Sequence, residues 1–513
     1  MTVVSLTDVA VLLRPTDDVA VAAAELAAGT ELAHESRTFT LVNTVPRGHK
    51  IAVQAVAASR PVHKYGQSIG LARTDIAIGE HVHSHNLAMD TAERDYEFGT
   101  ARLQPSIPED LPRSFMGYHR ADGRVGTRNY IGVITSVNCS ASTARFIADQ
   151  FRGPHALDGF DNVDGVMALA HTSGCGLISG SEGAQVLLRT LRGYARHPNF
   201  GGLLVLGLGC EMVPVNSLVE GLDLPEGSYV QTMTIQDSGG IRATVRAGVD
   251  RIREMLPQVN RAQRQPADVS NLILGLECGG SDGYSGITAN PALGVASDFL
   301  VAAGGTSVLA ETPEVYGAEH LLTRRAVSAE VGRKLLDRLQ WWREYTAAGG
   351  GTMDNNPSPG NKAGGLTTIL EKSLGAVAKG GSAELSAVYH YAEPVTDHGF
   401  CFMDTPGYDP VSVTGLVAGG ATVVCFTTGR GSVFGCKPSP SIKLATNTAM
   451  YQRMSQDMDI NAGRIVDGTA SLLDVGREIY QELVEVASGK RTVSEELDVG
   501  QEEFIPWQLG AVT

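Results

Sequence analysis

The run Leu272-Ile273-Leu274-Gly275-Leu276 ends in Glu277-Cys278-Gly279-Gly280-Ser281-Asp282. A carboxylate can move a proton or hold a cation, and a thiolate binds borderline-soft metals. Paired glycines let the backbone come close to a ligand. Three more thiols follow apolar runs in the same way. Cys139 comes after YIGVITSVN, Cys175 after VMALAHTSG and Cys210 after LLVLGLG. Ligands of open parallel sheets sit at the carboxyl ends of the strands. If the four runs are parallel neighbours, Cys139, Cys175, Cys210 and Cys278 converge on one edge, together with His171, Glu211, Glu277, Asp282 and Glu311. Such a cluster suits a metal or an active site. The plainer reading is four small, buried, reduced thiols packed at strand ends.

A second concentration of chemistry is GEHVHSHN, where His81, His83 and His85 recur at every second residue. In a strand these share a face, and neutral imidazole is a common metal ligand. A polar edge strand gives the same pattern. Two glycine-rich stretches, NPSPGNKAGG (356–365) and TTGRG (427–431), carry Lys362 and Arg430 among exposed backbone N–H groups, a composition suited to anions. No GxxxxGK[ST] phosphate loop and no GxSxG elbow occurs.

These residues need elements to position them. From about residue 116, strand-length apolar runs alternate with helical stretches, which predicts a parallel sheet covered on both faces. The clearest helical faces lie over 326–342, with Val327, Val331, Leu335 and Leu339, and over the stretch carrying Leu472, Leu473, Val475, Ile479, Leu483 and Val486. Residues 349–365 read as a long loop. Before this body, residues 1–88 alternate in short segments between turns, which predicts a small β-rich domain. Residues 89–115 are polar, proline-bearing and aperiodic, as in a linker. We expect an α/β catalytic domain over 116–395 and a C-terminal α/β domain over 396–513 that completes the site.

Bulk properties set limits. The 513 residues carry a formal charge of -15 and no basic stripe, which argues against nucleic acid as a partner. No stretch reaches 18 consecutive apolar residues and no leader-like N-terminus is present, so we expect a cytoplasmic protein with no membrane partner. The seven cysteines include no CxxC pair, and no two lie closer than Cys425 and Cys436, so no zinc knuckle or compact disulfide framework is expected.

Taken together, RADGRVGTRN (120–129), HTSGCG (171–176), GLGCE (207–211), LECGGSDGYSGITANPALG, ETPEVYGAEHLL (311–322), NPSPGNKAGG and TTGRG resemble the altronate/galactarate dehydratase family. The likeness runs in order along nearly the whole chain, and the first 88 residues resemble that family's SAF-type domain. The resemblance implies a hydro-lyase that dehydrates an aldonate or aldarate, such as altronate, to a 2-keto-3-deoxy sugar acid. Galactarate, another 2-hydroxy acid, or mere binding of a sugar acid on an inactive scaffold are the alternatives. It further implies iron(II), with manganese(II) or an iron–sulfur cluster as alternatives, and a homo-oligomer. Carried onto this chain, it leaves His171, Glu211 and Lys362 as candidates for acid–base work. Arg128, Ser281, Asp282, Asn361, Arg430 and Lys443 are candidates to hold the substrate. Cys139, Cys175, Cys210, Cys278, His83 and His85 are candidates to hold the metal, with the histidine face closing over the thiols as a lid.

Overall fold

The computed structural model describes residues 3–90, 95–153, 155–220, 222 and 229–510. Residues 1–2, 91–94 and 511–513, which the expected boundaries include, lie outside the described residues.

The N-terminal unit is strand-rich, as the short alternating segments predict. It folds into three small sheets, with Val19–Ala22, Lys50–Ala52 and His81–Val82 side by side in one of them. The strands bury Val19, Ala52, Val62, Ile69 and Val82, and Lys50 and Lys64 are buried with them.

The body contains two parallel sheets. The smaller has the order Gly165–Leu169, Tyr130–Thr135, Phe200–Gly207, Tyr229–Thr234, with every neighbour parallel. The larger has seven parallel strands in the order Leu385–Tyr389, Gly399–Met403, Thr306–Leu309, Ile273–Cys278, Val423–Thr428, Ser441–Ala445, Ile460–Asn461. Their near-continuous apolar sequences follow from burial on both faces. The helix Leu472–Ala487 lies against one face through Val475, Ile479, Leu483 and Val486, while Leu473 points outward, 53% exposed. The other expected helix runs Ala329–Ala348. Ser328 caps it by accepting from the Val331 N–H, so Val327 falls outside it.

Two expectations about boundaries need correction. The division at 395/396 cuts through the larger sheet, because strands on either side of it pair directly, Leu385–Tyr389 with Gly399–Met403. The break between sheets falls instead near residue 260. The 89–115 segment is no free tether in its described part. The Gly99 and Ala101 N–H groups donate to Thr323 and Arg324 carbonyls, Arg102 pairs with Glu384 at 3.0 Å, and Leu111 is buried. Its low periodicity reflects extended chain strapped along the C-terminal body. Within 349–365, residues Pro359–Ala363 form a helical turn with a Ser358/Asn361 capping box.

Candidate active site

The tip of the Ile273–Cys278 strand answers for its own composition. Glu277 and Cys278 are buried at the carboxyl edge of the larger sheet. The next strand, Thr306–Leu309, delivers Glu311 and Glu314 to the same place. The Cys278 Sγ donates at 3.4 Å to both Glu311 Oε2 and Glu314 Oε2. Asp409, first residue of the helix Asp409–Ala418, comes in from the other side. Gly279 permits this, since a Cβ there would lie 2.1 Å from the Asp409 carboxylate. Oxygens of Glu277, Glu311 and Asp409 lie within 4.8 Å of one another, as do ligand atoms of Cys278, Glu311 and Glu314.

Two lysines face these acids. Lys379 donates to Glu311 at 3.1 Å and Lys372 pairs closely with Glu314, which also accepts from Asn356 Nδ2. Two cations against four carboxylates leave a surplus of negative charge in a buried space. Burial and the neighbouring Glu311 raise the Glu277 carboxyl well above its usual range, and burial with Glu311 and Glu314 pushes Asp409 up to about 7. Burial raises Glu311 as well, with Glu314 adding to it. Glu314 is the exception. Burial opposes its charge, but Lys372 and Lys379 outweigh it and hold the carboxyl low. Burial drives the Cys278 thiol up. Glu277 Oε1 and Glu311 Oε1 are buried without a hydrogen-bond partner among the described residues. Glu311 also sits at φ +67°, a left-handed conformation that costs a non-glycine residue of order 1 kcal/mol and clusters at functional sites. Orphaned oxygens, crowded carboxylates and one thiol fit a divalent cation.

The N-terminal unit closes over this edge. Glu371 accepts from Lys50 and Lys64 at 2.9 Å each, three buried charges spanning the two parts. Burial opposes the charge on Glu371, yet the two lysines hold its carboxyl very low. Burial brings Lys50 down to about 8. The backbones meet where side chains would not fit. A Cβ on Gly283 or Gly365 would come within 2.0 or 2.2 Å of the Gly48 carbonyl. Beside this contact His81, His83 and His85 gather with His49, ring centroids 4.9–5.5 Å apart. His49 Nδ1 and His81 Nε2 share a hydrogen bond of 3.0 Å. The His83 Nε2–H donates to the Lys362 carbonyl at 2.9 Å. Burial, then mutual repulsion, lowers His81 to about 3; burial and Lys50 lower His83 to about 4. Both imidazoles are therefore uncharged at neutral pH. A small cavity between the two parts is lined by Tyr65, Cys278, Ser281, Asp282, Glu371 and Lys372.

The remaining sequence candidates sort by what they touch. Asp282 accepts from Thr446, Asn447, Ser285 and the Tyr284 N–H, and lies so close over Gly429 that no side chain fits there. Asn361 donates to the Ser281 carbonyl at 2.8 Å. These three brace the cavity wall. Arg430 is exposed, with its Cδ against Gly364, and half-buried Lys362 lies in the same loop contact. Lys443 is buried in its strand, its ammonium without a partner among the described residues.

Arg128 is a correction. It is fully buried, bonded to Glu495 at 2.6 and 2.8 Å and to the carbonyls of Thr127, Val486 and Lys490, so no donor is left for a substrate. His171 and Glu211 also depart from an acid–base role. His171 Nε2–H donates to the Thr135 carbonyl and Nδ1 accepts from the Ser173 N–H; the Glu211 oxygens accept from Ser136 Oγ and the Gly209 N–H. Cys139, Cys175 and Cys210 lie exposed at the edge of the smaller sheet, whereas Cys278 belongs to the larger one, so the four thiols do not share one edge. The histidine face accordingly meets the 361–365 loop and not the exposed thiols. Glu314, Lys372, Lys379, Asp409, His49 and the Lys50–Lys64–Glu371 triad escaped the sequence reading. The signal for the lysines was present: Lys372 and Lys379 stand seven residues apart in a stretch rich in Leu, Ala, Val and Gly.

Comparison with known proteins covers most of the chain. Residues 8–90 match the altronate/galactarate dehydratase SAF domain. Residues 117–260 match the D-galactarate dehydratase/altronate hydrolase second domain, and residues 269–512 the D-galactarate/altronate dehydratase C-terminal domain. Altronate dehydratase of Escherichia coli (strain K12) is 38% identical over 488 residues, 94% of this chain and 96% of that protein. Altronate dehydratase of Bacillus subtilis (strain 168) is 35% identical over 488 residues, 94% and 95%. Galactarate dehydratase (L-threo-forming) of Escherichia coli (strain K12) is 38% identical over 461 residues, 88% and 87%. With its three domains matched in order and such likeness along almost its full length, the chain belongs to the altronate/galactarate dehydratase family.

Proposed function

We propose that this protein dehydrates an aldonate, altronate being the first candidate, to the 2-keto-3-deoxy acid and water. A divalent cation, iron(II) before manganese(II), would be held by Glu277, Glu311 and Asp409, with Cys278 and Glu314 alongside. The observation that carries the reading is the pair of buried, unpartnered oxygens on Glu277 and Glu311. Each orphaned polar atom costs about 1–3 kcal/mol unless something meets it. The long likeness to altronate dehydratases supports the choice of substrate.

Dehydration requires removal of the weakly acidic proton beside the carboxylate and protonation of the departing 3-hydroxyl. The bound cation supplies Lewis acidity toward the substrate carboxylate and 2-hydroxyl. The chain supplies the rest. An uncharged imidazole of the His81–His83 cluster takes the C2 proton, and the freed electron pair forms the C2–C3 double bond as the 3-hydroxyl leaves. The Lys362 ammonium protonates that hydroxyl, so it departs as water. The enol then becomes the ketone. Arg430 offers its two-pronged guanidinium to the carboxylate.

The test is anaerobic purification, loading with Fe(II) or Mn(II), and a screen of aldonates and aldarates for 2-keto acid release. Altronate should be the best substrate, and His83→Gln should lower kcat on the order of 100-fold or more. Faster turnover of an aldarate would move the assignment to galactarate. A metal-loaded enzyme inert on every sugar acid, or a normal His81→Gln/His83→Gln double variant, would overturn it.

A further inference from the structure

We infer that Cys139, Cys175 and Cys210 form the ligand set of a [4Fe–4S] cluster bound at the carboxyl edge of the smaller sheet, with the fourth iron left for a non-protein ligand. The site is distinct from the carboxylate nest, which lies on the other sheet.

The three thiols leave three adjacent strands. Tyr130–Thr135 is central, flanked by Gly165–Leu169 and Phe200–Gly207. All three cysteines are exposed and unbonded to one another. The loops that carry them are fastened together just below the sulfurs. Asn138 N–H donates to the Ser173 carbonyl at 2.8 Å, and Asn138 Nδ2 to the His171 carbonyl at 3.2 Å. Ser136 Oγ donates to Glu211 at 2.7 Å. Gly174 lies so close to Ser136 that a Cβ would meet its carbonyl at 2.5 Å. His171 and Glu211, whose polar atoms are all used in these bonds, act here as positioning residues. Cys139 lies in the turn leading into the helix Ala141–Ala148, and Gln236, just beyond the fourth strand, donates its side-chain amide to Cys210 Sγ at 3.6 Å.

Size decides what fits. A single tetrahedral ion with arms near 2.3 Å needs its sulfurs about 3.8 Å apart. Among the described residues, the groups of three ligand atoms lying within 4.8 Å of one another are the two carboxylate-nest sets; the three exposed thiols are not among them. Neighbouring strand ends are about 4.8 Å apart and the outer two about 9.6 Å. A cubane, whose ligating thiolates stand about 6–7 Å apart, spans such a rim. Three protein thiolates satisfy three of its irons. Loading is ligand exchange from a carrier's preassembled cluster. Three Cys–S–Fe bonds form, three carrier thiolate–iron bonds break, and the protons of Cys139, Cys175 and Cys210 pass to the released carrier thiolates. No net electron transfer is needed.

The inference does not rest on which sugar acid is dehydrated, and its readout involves no turnover. Full-length protein is isolated anaerobically from iron-replete cells and assayed for iron, acid-labile sulfide, visible absorption and free thiols. We expect about four sulfides per chain and a broad visible band. Cys139→Ser, Cys175→Ser and Cys210→Ser should each lose the sulfide at least about tenfold while keeping the melting curve of the cluster-stripped parent. Glu311→Gln and Cys401→Ala should keep it. The inference is overturned by sulfide-free wild-type protein whose three exposed thiols react freely under native conditions. A zinc ion without sulfide, a disulfide among the three, or sulfide retained in all three serine variants would also overturn it. The wild-type sulfide and thiol counts decide the matter even if a variant misfolds.

Discussion

At the scale of single residues, the nest around Glu311 sets opposing expectations for its charges. Glu311→Gln or Asp409→Asn removes one of the carboxylates crowded at the strand tip. Either should weaken Mn(II) binding, followed by calorimetry, on the order of tenfold or more. Lys379→Met removes the cation that competes for Glu311, so it should tighten Mn(II) binding while making the metal-free protein less stable. A loss of affinity in both classes would mean that the nest is a structural ion network. Arg430 makes its own case. It is exposed next to the 361–365 loop, and lysine cannot reproduce its fork. Arg430→Lys should cost about 1.5–3 kcal/mol in kcat/KM, on the order of ten- to a hundredfold. Arg253→Lys, at an exposed position of its helix, should cost nothing measurable.

At the scale of elements, the N-terminal sheets are joined to the C-terminal body by a buried triad that the helix Ile369–Val377 presents. Glu371, in its first turn, is the sole countercharge to Lys50 and Lys64 among the pairs described. Removing one partner of a buried ionic set strands the others in a low dielectric, at a cost of about 3–5 kcal/mol. Glu371→Gln should therefore lower stability by that order in urea unfolding, and should expose the segment 95–113 to protease, which native contacts along the body protect. An unchanged denaturation midpoint would show that docking rests on the backbone contacts around Gly48, Gly283 and Gly365 and on bonds such as His83 to the Lys362 carbonyl, not on the triad.

At the scale of the whole molecule, two buried histidines link stability to pH. Burial lowers His171 to about 4 and His197 to about 3 from an ordinary 6.5. The unfolded chain binds these protons more readily than the fold, so stability is full above about pH 6.5 and falls as pH drops toward the folded values. A drop from 6.5 to about 4 corresponds to about 3 kcal/mol when fully expressed. The raised carboxyls of Asp409, Glu277 and Glu311 pull the other way over the same range, so the readout is a difference: between pH 7 and pH 5 the urea midpoint of metal-free His171→Gln should fall less, or rise more, than that of the parent.

The sequence by itself determined the composition of each strand tip, because apolar runs ending in Glu, Cys and Gly need only local reading. It determined the small strand-rich start and the parallel, doubly covered character of the body, since burial on both faces writes itself as unbroken apolar runs. It also carried the family, through motifs in order along the chain. What it left undecided is which strand tips meet. A parallel run shows its periodicity but not its neighbours, so Cys278 looked like a companion of Cys139, Cys175 and Cys210 until the sheets separated it from them. Arg128 read as a site cation because nothing near it in sequence reveals Glu495, more than three hundred residues away, as its partner. Lys372, Lys379 and Asp409 meet Glu311 only through strand order. Likewise His171 and Glu211, acid–base types in form, are fixed as struts by backbone groups on neighbouring loops. Long-range pairing is set by burying whole faces at once, and that is decided only when the chain packs.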